Sequence, residues 1–92
     1  MTWDIKWSKT AESQLEKIAT SNKNIAQRIV TKLDEIARNP YLFTEKLQGL
    51  ELRKLRVGSY RVILSLEEQK IIIFVVQVGH RSKIYEKYEI YK

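Results

Sequence analysis

Polar and apolar residues alternate strictly through "TWDIKW", residues 2–7: Trp3, Ile5 and Trp7 on one side, Thr2, Asp4 and Lys6 on the other. A period of two predicts a strand with one buried face. The tryptophans share that apolar face, so they are expected in the core rather than free to stack on a ligand. The period then changes. Ser8 is a good N-cap, and Ala11, Leu15, Ile18 and Ala19 follow at helical spacing. Asn22 can cap a second helix with Ile25, Ile29, Leu33, Ile36 and Ala37 on one face, stopped by Asn39-Pro40. So few residues join the two helices that an antiparallel hairpin is expected, its charged faces in water.

"YLFTEKLQGL" reads as a connection that partly packs down through Leu42, Phe43 and Leu47. Three strands are predicted after it, at about 50–57, 60–66 and 71–78. "KIIIFVVQVG" is apolar at nearly every position, as a central strand covered over most of both faces would be. In the tail "SKIYEKYEIYK", Ile84, Tyr85, Tyr88 and Tyr91 fall at helical intervals, which predicts a short final helix. The order strand, helix, helix, three strands and a last helix is α+β: a helical hairpin packed on one face of a mostly antiparallel four-stranded sheet. The other face is expected to be nearly bare, and a ligand would sit there.

The chain has 92 residues, 43% of them hydrophobic, which fits one domain, 1–92, with a modest core. There is no cysteine, so disulfides and thiolate metal sites are excluded. A single histidine without a carboxylate cluster does not make a metal site, and no cofactor is implied. The longest apolar run, "IIIFVV", is too short to span a bilayer. "MTWDIKWSKTAE" lacks the basic-then-apolar layout of a secretory signal, so a cytoplasmic location is the expectation.

The formal net charge is +6, which favours an acidic partner. Its placement says more. From Leu52 to Leu66 every charged residue is positive: Arg53, Lys54, Arg56 and Arg61. In "KLRVGSYRVIL" a two-residue loop with glycine first fits a type II′ turn. With Gly58 and Ser59 at its centre, Arg56 opposes Arg61, Leu55 opposes Val62, and Lys54 opposes Ile63. Leu55, Val57, Tyr60, Val62 and Leu64 then face the helices, and Lys54, Arg56 and Arg61 lie together on the other face. Opposed arginines cost about 0.2–1 kcal/mol. Either carboxylates from elsewhere, such as Glu51 or Glu89, meet them, or their partner is an anion from outside. "VGHRSKIY" is expected to bring His80 and Arg81 out at one end of that same face, with Lys83 and Tyr85 beyond.

Together, "LQGLELRKLRVGSYRVIL", the apolar strand and "VGHRSKIY" resemble the RelE/ParE superfamily of toxin–antitoxin toxins over essentially the whole chain. The resemblance implies the microbial RNase-like RelE fold. For a RelE-like member it implies a ribosome-dependent endoribonuclease that cuts mRNA in the A site, held in check by a cognate RelB-like antitoxin. For a ParE-like member it implies an inhibitor of DNA gyrase without catalytic residues. Carried onto matching positions, the catalytic set is Lys54, Arg61, Arg81, His80 and Tyr85, and the RNA-binding set is Arg56, Arg53, Lys46 and Lys83. One family lysine falls on Leu52 here, with Arg53 adjacent but facing the other way.

Metal-free RNA cleavage uses the 2′-hydroxyl as nucleophile and needs a base, cations on the phosphorane and an acid for the leaving 5′-oxygen. Guanidinium groups suit the second task, because they bind phosphate through paired hydrogen bonds and keep their charge. A lysine crowded by cations gives up its proton more readily, which makes Lys54 one candidate base. His80 is suited to either proton transfer, and Tyr85 to stacking on a base. A third possibility is a nucleic-acid-binding module with no activity.

Overall fold

The computed structural model describes residues 2–88. Its elements run β1 (Asp4–Trp7), α1 (Lys9–Ser21), α2 (Lys23–Ile36), α3 (Pro40–Phe43), β2 (Glu45–Lys46), β3 (Arg53–Val57), β4 (Tyr60–Glu67), β5 (Ile72–His80) and α4 (Arg81–Tyr88). Both helix starts are capped as the sequence implies. Ser8 Oγ accepts from Ala11 N–H at 3.0 Å, and Asn22 Oδ1 accepts from Ile25 N–H at 3.2 Å. These bonds satisfy amide donors that a helix's first turn leaves without partners.

The sheet order is β1-β5-β4-β3-β2. Among the described residues it therefore has five strands rather than four; the extra one, β2, is a two-residue edge strand antiparallel to β3. β1 runs parallel to β5, and every other pairing is antiparallel. Trp3, Ile5 and Trp7 pack against the main core, built from α1, α2 and one face of the sheet. Ala19 is exposed, so the buried stripe of α1 is narrower than its periodicity suggested.

Two further corrections concern the middle of the chain. β3 begins only at Arg53, because a turn around Gly49, at φ 77°, precedes it. Leu42 is 70% and Phe43 51% exposed, so of the three residues expected to pack down only Leu47 is buried. α3 is a single turn, too short to bury more than one side, and that side is Pro40.

The sheet's second face is not bare. Leu47, Ile63 and Ile84 form a second small core, flanked by Leu52, Val76, Tyr85 and Tyr88. α4 supplies this cover at the hairpin end of the sheet. Gly79 makes room for it: a Cβ there would lie 3.4 Å from Ile84 Cδ1. Tyr91 and Glu89 lie outside the described residues.

Candidate active site

The β3–β4 hairpin has the register that its turn dictates. Arg56 pairs with Arg61, Leu55 with Val62, and Lys54 with Ile63. Gly58 has φ 58°, and Ser59 is not among the positive-φ residues, as a type II′ turn requires. Leu55, Val57, Val62 and Leu64 are buried under the helices, with Tyr60 at the margin. Lys54, Arg56 and Arg61 are therefore on the opposite face.

There the two opposed arginines behave differently. Arg56 is exposed, whereas Arg61 is only 2% exposed. The Arg61 side chain folds down, and its Nη1 donates to the carbonyls of Gly58 (2.9 Å) and Tyr60 (2.8 Å). Its Nε donates to Tyr85 Oη at 2.9 Å. Among the described residues no carboxylate pairs with it, and its partners among them are all neutral. Its Nη2 makes no hydrogen bond to them either. Glu51, one candidate partner, instead lies 3.8 Å from Lys46.

Tyr85 is the other half of the unit. Lys54 Nζ sits 5.4 Å from its ring centroid, and the Arg61 guanidinium carbon lies at the same distance. Burial works to raise the pKa of the phenol. The Arg61 hydrogen bond and the charges of Arg61, Lys54 and Arg56 outweigh it, and the phenol titrates below the ordinary tyrosine range. Tyr41 shows the reverse case: its bond to Glu68 Oε1, at 2.7 Å, holds its pKa up. Arg81 is four residues before Tyr85 on α4, hence on the same stripe of that helix. Its backbone N–H donates to Ser59 O at 2.8 Å, tying α4 to the hairpin turn.

His80 is elsewhere. β5 carries an irregularity: Ile63 pairs with Gln77 but Leu64 with Val75, leaving Val76 over. Beyond it, His80 pairs with Tyr60 and Gly79 with Arg61. His80 therefore shares the helix-side face of Tyr60, and the rings meet edge-on at 5.6 Å between centroids. Its Nδ1 accepts from Ser82 N–H at 3.2 Å, so the ring helps to satisfy the start of α4. The expectation that His80 joins the basic face is thus corrected. Register with a distant strand decided it, and local sequence does not carry that register.

The expected RNA-binding set also divides. Arg53 is turned inward: Nε donates to Thr44 Oγ1 at 2.7 Å and Nη2 to Thr44 O at 2.8 Å, and the side chain lies over the Tyr41 ring. It fastens the α3–β2 connection to β3. Lys46 lies on β2, paired with Arg53. Lys83 points away from Tyr85, since two residues along α4 turn the side chain through about 200°. The unit missed by sequence reasoning is the Arg61–Tyr85 hydrogen bond, which joins residues 24 apart in the chain.

Residues 5–85 match the family described as "ParE toxin of type II toxin-antitoxin system, parDE". A RelE-like toxin protein of Escherichia coli is 29% identical over 86 residues, covering 90% of this chain and 87% of the relative. The mRNA interferase toxin RelE of E. coli K12 is 27% identical over 81 residues, covering 83% and 85%. Among solved structures, a chain of the RelBE2 toxin–antitoxin complex of Mycobacterium tuberculosis superposes with a TM-score of 0.80 at 19% identity. The match spans 89% of this chain and 94% of that one.

Proposed function

Because the chain belongs to the ParE toxin family of type II toxin–antitoxin systems, within the RelE/ParE superfamily, we propose that it is a toxin of the mRNA-cleaving kind. In this reading it is an endoribonuclease that works on the ribosome-bound message and is neutralised by a cognate antitoxin. The observation that carries the reading is the buried Arg61 guanidinium, held against Tyr85, flanked by Lys54 and Arg56, and without a carboxylate partner among the described residues. A protein–protein docking surface has no need of a desolvated, acid-free cation. A phosphorane does, and charge fixed in advance of the reaction is usually the largest catalytic contribution.

The scissile phosphate takes the open Nη2 of Arg61, with Arg56 and Arg81 adding charge at the rim. Tyr85, its phenol already lowered toward ionisation, accepts the 2′-hydroxyl proton. The 2′-oxygen attacks phosphorus and the bond to the 5′-oxygen breaks. The Lys54 ammonium, beside the Tyr85 ring, gives a proton to that leaving oxygen. The products are a 2′,3′-cyclic phosphate and a 5′-hydroxyl, with no metal used. Such a site depends on the RNA arriving in an in-line geometry, and a ribosome that fixes the message supplies it; positioning alone can contribute about 7–11 kcal/mol.

The test is to incubate the folded protein with a defined mRNA, with and without programmed ribosomes, and map the ends by primer extension. Cuts within the A-site codon, only when ribosomes are present, are expected. A second reading, a gyrase inhibitor, is favoured by the ParE description of the matching family. It predicts no cut in either condition and inhibition of DNA supercoiling by the same preparation.

A further inference from the structure

β5 outruns its edge partner. The β1–β5 pairing ends at Trp7 and Val75, yet β5 continues to His80. Along this open edge lies a cleft of about 440 Å³, bounded by α1 on one side and α4 on the other. Ile18, Val78 and Ile84 make its apolar floor, and Lys17, His80, Lys83 and Lys87 stand around it, with no acidic residue in the lining among the described residues. Among the described residues none of these lysines is in an ion pair.

We propose that this cleft is a second RNA-binding site, one that holds a single-stranded segment by its phosphates beside the Arg61–Tyr85 site. A partner β-strand is a poor fit for the open edge, because Val78 N–H is already taken by Gln14 Oε1 at 2.7 Å. That bond fixes the amide of Gln14 and leaves its Nε2 as a spare donor over the cleft. Lys83 and Lys87 are four apart on α4, a like-charge spacing that destabilises a helix unless an anion relieves it. They sit on the stripe of α4 opposite Arg81 and Tyr85. α4 is thus a divider with cations on both sides, and one RNA strand passing over its Arg81 end reaches both. The inference rests on the reading that the protein engages RNA, but not on cleavage.

The experiment uses a short fluorescent RNA carrying 2′-O-methyl groups throughout, which cannot be cut through its 2′-oxygens. Its binding to the protein is followed by fluorescence anisotropy over a salt series. The variant K17Q/K83Q/K87Q changes three exposed side chains, and its fold is checked by circular dichroism. Each lysine–phosphate pairing removed flattens the slope of log affinity against log salt by about 0.7. The triple variant is therefore expected to lose about two units of slope and at least tenfold in affinity at moderate salt. Wild-type affinity and slope in the variant would overturn the proposal, whether or not the protein cuts mRNA on ribosomes. So would a variant that keeps its RNA affinity while losing affinity for polyglutamate, since the cleft would then be a docking site for an acidic protein.

Discussion

The two sides of α4 both gather positive charge, and they do so in opposite ways. On the side of Tyr85, over the β3–β4 hairpin, Arg61 is buried, saturated at Nε and Nη1, and locked to Tyr85. On the other side exposed lysines ring an open cleft, and the histidine there is tied to the start of α4. A buried, fixed cation is suited to stabilising a transition state, because it needs no reorganisation when charge develops. Solvated, mobile cations attract a polyanion but hold no atom in place. Charge count alone does not separate the two; burial and hydrogen bonding do.

The largest expected effect comes from the fixed side. Arg61→Ala should lower A-site cleavage by about 10²–10³-fold, the usual consequence of losing one transition-state donor. It should also cost about 1–3 kcal/mol of stability in chemical denaturation, because the carbonyls of Gly58 and Tyr60 lose their donor. Full activity in this variant would remove the distinction between the two faces.

Next in size is Gly79→Val. Its Cβ would meet Ile84 at 3.4–3.5 Å, and the added methyls would push α4 off the sheet. Overpacking of this kind costs about 1–3 kcal/mol, and Tyr85 should move with the helix. Thermal unfolding reads the first effect and the cleavage rate the second. A variant as stable and active as wild type would mean that α4 does not position the site.

His80→Gln should change cleavage by no more than a few-fold, as a residue on the opposite face. Losing its bond to Ser82 should cost about 0.5–1.5 kcal/mol, seen as a lower unfolding temperature. A cleavage loss on the scale of the Arg61 variant would place His80 back among the catalytic groups.

The smallest effect is spectroscopic. In an alkaline titration followed by phenolate absorbance, Tyr85 should ionise ahead of Tyr41 and Tyr88, whose pKa values are raised. The folded state releases the Tyr85 proton before the unfolded chain does. The stability it adds is therefore absent below the folded pKa, grows as pH rises through it, and is complete above the unfolded value of about 10. The first phenolate to form should vanish in Tyr85→Phe.

What the sequence made legible follows the same division. The hairpin register was readable because a two-residue glycine turn and a period of two leave one solution. The helical hairpin was readable from its caps and its apolar spacing. β2 was not, since two residues carry no period and pair only through a distant strand. The exposure of Leu42 and Phe43 was hidden because apolar character does not require burial. The face of His80 was hidden by the unpaired Val76, a feature of long-range pairing. The Arg61–Tyr85 bond was half legible. Both residues stood out, but Gly79, whose missing side chain lets α4 fold back over the sheet, signals no more in the sequence than the end of a strand.

Proton transfer by the Arg61–Tyr85 unit is tested by the pH dependence of single-turnover cleavage on programmed ribosomes, for wild type and Tyr85→Phe side by side. The wild-type rate is expected to climb with pH as the Tyr85 phenol ionises, at lower pH than an ordinary tyrosine. The variant should be about 10²-fold slower, with that climb gone. A variant that retains both the rate and the climb would contradict the assignment of proton transfer to the Arg61–Tyr85 unit.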